Sequence, residues 1–247
     1  MWWAGSRPIE IYCGAGSLGL RSPDEPSKWF ELDGSEPIGL VLGRQLGRAR
    51  AAGRPARVWF SVSMARPFMV PGDCGARNED EAAAVANVLA AEATGLLGAL
   101  EVWIGPWRAA QPCVGVAVAA GLLGEVKSAC DRAGSRLVSA RPWWNLALEA
   151  ADDSAKSSGC DGVRWFLVEP DGMATGTSVA GTPMALEFVG PMPHDPMWLH
   201  ARQRALVTPD VAGAVWQAEA VLGPEADGEM PIGNWRASIQ RLRASAN

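Results

Sequence analysis

The sequence has few of the residues that usually mark a catalytic or metal site. It contains two histidines and one tyrosine among 247 residues. Its five cysteines are odd in number, and no two have the short spacing of a zinc site or a redox motif. We therefore expect buried, reduced cysteines, with no metal and no cofactor. The five are Cys13, Cys74, Cys113, Cys130 and Cys160.

Long apolar runs and an excess of positive charge are also missing. No segment approaches the roughly 20 apolar residues needed to cross a bilayer, and residues 1–7 lack the apolar core of a signal peptide. The net charge is −5, which argues against a dedicated nucleic-acid binder. We expect a soluble, cytoplasmic protein that reaches a membrane only through a partner.

Alternating strands separated by tight turns are what the sequence does contain. Val163–Gly190 predicts three consecutive strands, because its apolar positions alternate and turns follow at Pro170–Gly172 and Ala180–Gly181. The segment Ile9–Leu32 has the same pattern, with a turn at residues 14–16. Apolar residues make up 48% of the chain, so a real core can form.

The likeness between the two ends continues beyond these strands. A helix over Ile38–Ala52 and a strand over Val58–Val62 follow the first set, while Pro196–Ala205 and Ala214–Ala218 predict a helix and a strand after the second. Such self-similarity favours a duplicated unit, although any two α/β segments share these features. We predict an α/β protein with a first subdomain over residues 1–160 and a second, shorter one over 161–247.

The region between the two sets predicts alternating helices and strands. A helix should begin at the N-cap Asn78 and end before Gly95, and a second should cover Leu122–Ala133. Cys113–Ala119 is continuously apolar, which is typical of a buried parallel strand. A further helix is predicted over Pro142–Ala151.

Three glycines, Gly39, Gly43 and Gly47, recur every four residues in the first predicted helix, on one of its faces. Because glycine destabilises a helix interior by up to about 1 kcal/mol, we expect close packing of this face on a sheet. A phosphate-binding role is less favoured, since these glycines lie inside a helix rather than before one.

This order of elements resembles the actin-like fold, a ribonuclease H-like duplication of ββαβ-type subdomains, here with a truncated second half. It is similar to the cytoplasmic actin-like proteins of type IV pilus and type II secretion machines, the PilM family and the cytoplasmic part of GspL. In those families a segment such as Val114–Val118 leads into a helix and a turn like Arg132–Gly134, before the second meander begins.

Nucleotide-binding actin-like proteins have an Asp-x-Gly turn in each half, and the departures from it determine the expected function. In this chain Tyr12 stands at the first aspartate position, and Asp171 lies within the second turn after Pro170, which has no amide donor. No lysine accompanies either turn. We therefore expect no ATP hydrolysis. If a nucleotide binds, its phosphates should contact Gly14, Gly16, Ser17 and Gly172.

Other catalytic sites have weaker support in the sequence. His194 and His200 are six residues apart, and no nucleophile-elbow motif is present. A nuclease of the ribonuclease H type would need clustered carboxylates, and Glu10 and Glu31 are the residues available for it.

Twelve tryptophans are the remaining unusual feature. Most should be core residues, but Trp143, Trp144 and Trp198 are candidates for a docking surface. Because Trp143 and Trp144 are adjacent, one can be buried while the other stays partly exposed. The resemblance implies inner-membrane or cytoplasmic subunits of a pilus or secretion machine as partners, including an assembly ATPase. We favour a non-catalytic scaffold at the inner face of the inner membrane, and the alternative is a nucleotide-binding ATPase or kinase relative.

Overall fold

The computed structural model describes residues 7–25, 27–49, 51–145, 162–169, 172–179, 182–189 and 215–221. Its elements, in chain order, are β1 (Ile9–Cys13), β2 (Ser17–Arg21), β3 (Lys28–Glu31), α1 (Ile38–Arg48), β4 (Pro55–Phe60), β5 (Ala65–Val70), α2 (Glu79–Thr94), β6 (Leu100–Ile104), β7 (Cys113–Ala119), α3 (Leu122–Arg132), β8 (Arg136–Pro142), β9 (Gly162–Glu169), β10 (Gly172–Val179), β11 (Thr182–Val189) and β12 (Val215–Val221). Within these ranges, no helix is long and apolar enough to span a bilayer.

The first sheet has the strand order β3-β2-β1-β4-β8. β1 pairs with β2 antiparallel and with β4 parallel, so the chain crosses over through α1 between β3 and β4. Ile9, Ile11 and Cys13 alternate along β1 and join one buried apolar cluster, which also contains residues of α1 and α3. The helices therefore cover one face of this sheet, as the pattern of buried positions predicts.

Helix α1 packs against α3 through its glycines. A Cβ atom on Gly39 would lie 3.1 Å from the carbonyl oxygen of Glu125 on α3, and one on Gly43 would lie 3.9 Å from Ala129. Arg132 of α3 also donates a 3.2 Å hydrogen bond to the carbonyl of Gly39. The expected close approach is therefore present, but its partner is a helix and not a sheet, and Gly47 does not take part.

The second sheet repeats the arrangement of the first, with the strand order β11-β10-β9-β12. β9 pairs antiparallel with β10 and parallel with β12, as β1 does with β2 and β4. The predicted helix over Pro196–Ala205 lies outside the described residues. The repeated strand order is what a duplicated ββαβ unit requires, whereas the boundary near residue 160 stays a prediction.

A third sheet, β5-β7-β6, is inserted between β4 and α3, and α2 packs on one of its faces. Asn78 caps α2 by accepting a 2.9 Å hydrogen bond from the amide of Glu81, and Gly95 ends it with a φ of 64°, both as predicted. The expectation that Cys113–Ala119 is a parallel strand is wrong, because β7 pairs antiparallel with both neighbours. A central strand covered on both faces is apolar in either orientation.

Of two further predictions, the end of α3 at Gly134 is confirmed and the helix start at Pro142 is not. Gly134 follows Ala133, the C-cap of α3, and has a φ of 69°, as expected of the C′ position of a helix. Pro142 was expected to open a helix, but it ends β8, and the helical residues that follow are described only from Trp143 to Asn145.

Candidate functional site

Two strand ends from the two halves of the chain meet at one point. Tyr12 is the penultimate residue of β1, next to the β1–β2 turn, and Glu169 is the last residue of β9, immediately before the β9–β10 turn. Both side chains are buried, at 0% and 2% exposure. The Tyr12 hydroxyl donates a 3.0 Å hydrogen bond to Oε2 of Glu169, so the residues that precede the two turns bond directly to each other.

The same carboxylate oxygen accepts a second hydrogen bond. The backbone amide of Val62, in the connection between β4 and β5, donates to Oε2 of Glu169 at 2.7 Å. A buried carboxylate needs such donors, because removing it from water without them is costly. Hydrogen bonds to a charged group stabilise a protein by about 1.5–3 kcal/mol each, so this carboxylate contributes substantially to joining the two halves.

The β1–β2 turn uses its backbone amides within the protein. The amide of Gly14 donates to the carbonyl of Ser17 at 2.8 Å, and the amide of Ala15 donates to Oγ of Ser63 at 3.3 Å. The Ser63 hydroxyl lies 2.5 Å from that of Ser61, and the Ser61 amide donates to the carbonyl of Cys13 at 2.8 Å. The turn is thereby fastened to the β4–β5 connection.

The segment 61–66, which we call the central connection, links β4 to β5 and includes the first two residues of β5. It therefore belongs to the third sheet and contacts the other two. Its last residue, Arg66, donates to the carbonyls of Ser63 at 3.2 Å and Thr94 at 2.7 Å, and its guanidinium lies 4.7 Å from the ring centroid of Phe188 on β11. Burial lowers the pKa of Arg66. Thr94 ends α2, whose negative helix end stabilises this cation.

The four residues predicted to contact phosphates lie in or beside the two turns, where they are engaged within the protein. Gly14 and Ser17 bond to each other across the turn, and Gly172 lies opposite Glu169 in the β9–β10 pairing. Gly16 accepts a 2.8 Å hydrogen bond from the amide of Leu32 through its carbonyl. The Glu169 carboxylate lies at the end of β9 and bonds to Tyr12 beside the β1–β2 turn.

Around the two turns, the residues that the structure describes offer a triphosphate a carboxylate and no compensating positive charge. The Glu169 carboxylate would repel its charge, and neither turn contains a lysine to compensate it. Among the described side chains, no three from His, Cys, Asp and Glu come together as a metal-binding group. Asp171 lies outside the described residues.

A second buried carboxylate, Glu10, lies on the same strand as Tyr12. Its Oε2 accepts a 2.7 Å hydrogen bond from the indole of Trp59, and Arg57 lies 3.5 Å from its Oε1. Burial raises its pKa, while Trp59 and Arg57 partly offset the rise. Glu10 lies opposite Arg21 on β2, whereas Glu31 on β3 lies opposite the other end of β2, so these two carboxylates do not form a nuclease-type pair.

The tryptophans singled out from the sequence lie inside the molecule where the structure describes them. Trp143 and Trp144 are 0% and 1% exposed, and the indole of Trp144 donates a 2.8 Å hydrogen bond to the carbonyl of Ala65. The sequence left open that one of the two is partly exposed, whereas the structure buries both. Trp198 lies outside the described residues, and its docking role stays a prediction.

Sequence reasoning missed the residue at the centre of this site. The Asp-x-Gly pattern points to Asp171 within the second turn, whereas Glu169, the last residue of β9, makes the contact. The sequence holds two signals: a charged residue ends the strand, and the only tyrosine of the chain lies near the end of the first strand. The hydrogen bond from the Val62 amide could not be predicted from the sequence, because every residue except proline has a backbone amide.

No family model and no curated protein matches this sequence. Solved structures are similar to it at low sequence identity. A Bacteroides thetaiotaomicron protein with an actin-like ATPase fold and unknown function has a TM-score of 0.56 at 10% identity, covering 92% of this chain and 86% of that chain. A chain of the PilM–PilN type IV pilus biogenesis complex has a TM-score of 0.51 at 14% identity, covering 81% of this chain and 66% of that chain.

The cytoplasmic domain of EpsL, an inner membrane component of the type II secretion system of Vibrio cholerae, has a TM-score of 0.49 at 10% identity, covering 87% of this chain and 83% of that chain. The first two similarities agree with the repeated strand order of the two sheets. This protein therefore has an actin-like α/β fold, as the sequence predicts.

Proposed function

We propose that this protein is a non-catalytic scaffold that acts through protein–protein contacts. The observation that supports this most directly is the Glu169 carboxylate, which accepts hydrogen bonds from Tyr12 and from the Val62 amide between the two turns. In nucleotide-binding actin-like proteins, backbone amides of these turns hold phosphates. Here the protein's own carboxylate links the two halves.

The expected loss of hydrolysis has a second physical basis. Hydrolysis of a triphosphate needs oxygen ligands for a metal ion and positive charge around the phosphates. Tyr12 stands where nucleotide-binding relatives have an aspartate, and its hydroxyl is engaged with Glu169. A phenol bonded to a carboxylate supplies neither a metal ligand of the usual kind nor positive charge.

We further propose that the partners are subunits of a pilus or secretion machine, and that the protein works in the cytoplasm at the inner membrane face. The support is the similarity of fold to a chain of the PilM–PilN complex, at a TM-score of 0.51. The subdomains of this scaffold would be residues 1–160 and 161–247.

Calorimetric titration with ATP and magnesium tests the first part of the proposal. The full chain should give no binding heat at micromolar concentrations, and its thermal midpoint should not move, because nothing binds the native state. Tryptophan emission verifies that the titrated protein is folded. Micromolar binding would overturn the proposal in favour of an actin-like ATPase or kinase relative.

A second experiment tests the choice of partner separately. A PilN-type inner-membrane subunit from the same genome, purified with its cytoplasmic segment, should co-elute with this protein from a sizing column. If each protein elutes alone at tens of micromolar, the pilus assignment is wrong while the scaffold proposal stands on the titration alone.

A further inference from the structure

Two free cysteines lie at one end of the inserted sheet. Cys113 begins β7 and is 5% exposed, while Cys74 lies in the loop after β5 and is partly exposed. Cys113 belongs to the apolar cluster between this sheet and α2, and Cys74 packs against that cluster. One thiol is therefore accessible to solvent, and the other lies in the interior beneath the same loop.

The backbone around the two cysteines brings the loops that carry them together. Cys113 lies directly opposite Val70 in the β5–β7 pairing, which corresponds to a Cα separation of about 4.5–5.5 Å. The loop then turns back, since the Cys74 amide donates to the carbonyl of Pro71 at 3.4 Å.

A close approach at Gly72 fixes this loop against the one that precedes β7. A Cβ atom at Gly72 would lie 2.7 Å from the carbonyl carbons of Ala110 and Gln111, so the two backbones are in contact. Cys74 follows Gly72 by two residues, and Cys113 follows Gln111 by two residues. Because β5 and β7 are antiparallel, Cys113 lies on the sheet side of this contact. The turn at Pro71 then folds the loop back, and Cys74 packs against the cluster that contains Cys113.

The electrostatics of Cys113 are consistent with this proximity. Burial raises the pKa of its thiol, and the nearby Cys74 raises it further. The other described pair, Cys13 and Cys130, also interact, and burial raises the pKa of Cys130 to about 11. Both of those thiols are 0% exposed, so a soluble oxidant can reach neither.

We propose that Cys74 and Cys113 form a reversible disulfide when the protein meets a small-molecule disulfide such as glutathione disulfide. The Cys74 thiolate attacks one sulfur of glutathione disulfide, which gives a mixed disulfide and releases one glutathione thiolate. The Cys113 thiolate then attacks the Cys74 sulfur, which forms the internal bond and releases the second glutathione. The two protein thiols are oxidised and glutathione disulfide is reduced.

The bond would tie the exposed loop at residues 71–77 to the first residue of β7. This loop joins the inserted sheet to α2, so the disulfide would restrain one end of the inserted sheet. The inference does not depend on the proposed scaffold role, because it uses only the thiols and the loops that carry them.

The test is oxidation of the full native chain with excess glutathione disulfide, followed by alkylation of free thiols and peptide mapping by mass spectrometry. The expected product has lost two hydrogen atoms and contains the Cys74 peptide linked to the Cys113 peptide. Because Cys113 must ionise to complete the bond, the second step should accelerate as the pH rises towards its pKa.

Two variants complete the experiment. Cys160→Ser, which removes the cysteine outside the described residues, should leave the product unchanged. Cys74→Ser, at a partly exposed position, should leave Cys113 as an unmodified thiol under the same conditions. A stable glutathione adduct on Cys74 with Cys113 still reduced would overturn the proposal, as would a link from Cys74 to Cys160 or no reaction at Cys74.

Discussion

At the scale of single residues, the most consequential feature is the buried carboxyl group of Glu169. Glu169 is 2% exposed and bonds to a phenol and an amide from the other half of the chain. Neither donor is charged. Both donors are oriented dipoles, and a buried carboxyl group loses much of their benefit if one of them is removed.

We expect Tyr12→Phe to lower the free energy of unfolding by about 1.5–3 kcal/mol, because it leaves a buried carboxylate with one donor fewer. Glu169→Gln should also destabilise the protein. Urea unfolding of both single variants and the double variant gives their interaction energy, which we expect to be at least about 1 kcal/mol. Additive effects would show that the hydrogen bond contributes nothing to joining the halves.

The buried carboxyl group of Glu10 should make the stability of the protein depend on pH with the opposite sign to that of an ordinary paired carboxylate. Burial raises its pKa in the native state, so between its unfolded and folded pKa values the native protein binds more protons than the unfolded chain. Stability from this group is then complete below the unfolded pKa and is lost as the pH rises through the folded pKa.

Relative to Glu10→Gln, the natural protein should therefore lose stability as the pH rises above about 4.3, the usual glutamate pKa. Urea unfolding of the two proteins at several pH values between acid and neutral measures this difference. The glutamine keeps an oxygen acceptor for the Trp59 indole. A difference that stays constant, or that grows in favour of the natural protein, would contradict the role of burial.

At the scale of elements, the three glycines of α1 lie on one helical face but differ in what they pack against. Gly39 and Gly43 face α3, where a larger side chain would press on the neighbouring backbone or side chains. Gly47 lies on the same helical face but nearer the end of α1, where the position of its missing Cβ is open. The periodicity in the sequence treats the three alike, and only the crossing of the helices distinguishes them.

Gly47→Ala should stabilise the protein by up to about 1 kcal/mol, because alanine has the higher helix propensity and meets no obstacle. Gly39→Ala is the matched control in the same helix. Its Cβ would lie 3.1 Å from the Glu125 carbonyl oxygen and 3.2 Å from the Glu125 Cβ, so the propensity gain should be offset or reversed. Equal stabilisation of both variants in thermal unfolding would show that α1 and α3 are not in close contact.

At the scale of the whole molecule, three sheets are held together through one short stretch of chain. The central connection bonds to the β1–β2 turn, to the end of β9 and to the end of α2. Its Arg66 also lies against Phe188 on β11, which is the outer strand of the second sheet. A planar guanidinium can stack on a ring and bond to carbonyls at once, which an ammonium cannot do equally well.

We expect Arg66→Lys to weaken both contacts while keeping the charge. Cation–π contacts contribute about 0.5–2 kcal/mol, so hydrogen exchange should accelerate in β11 and in the last turn of α2 together. Arg44→Lys is the control, since Arg44 on α1 makes an exposed ion pair with Glu36, which lies just before the helix. Faster exchange in only one of the two elements would show that Arg66 does not couple them.

The order of elements was open to prediction because it depends on local patterns. Alternation predicted the strands, and the Asn78 cap and Gly95 determined the ends of α2. These signals are local because each depends on backbone conformation within a few residues. The orientation of β7 was not predictable, since a strand buried on both faces is apolar whether its neighbours are parallel or antiparallel.

By itself, the sequence determined the repeated α/β pattern, the actin-like resemblance and the loss of the aspartate at Tyr12. These follow from residue types and spacings along the chain. Only the tertiary structure decided that Glu169 meets Tyr12 and the Val62 amide, that α1 packs on α3, and that Trp143 and Trp144 are both buried. The physical reason is that each of these contacts joins groups far apart in sequence, and local pattern carries no information about which distant groups meet.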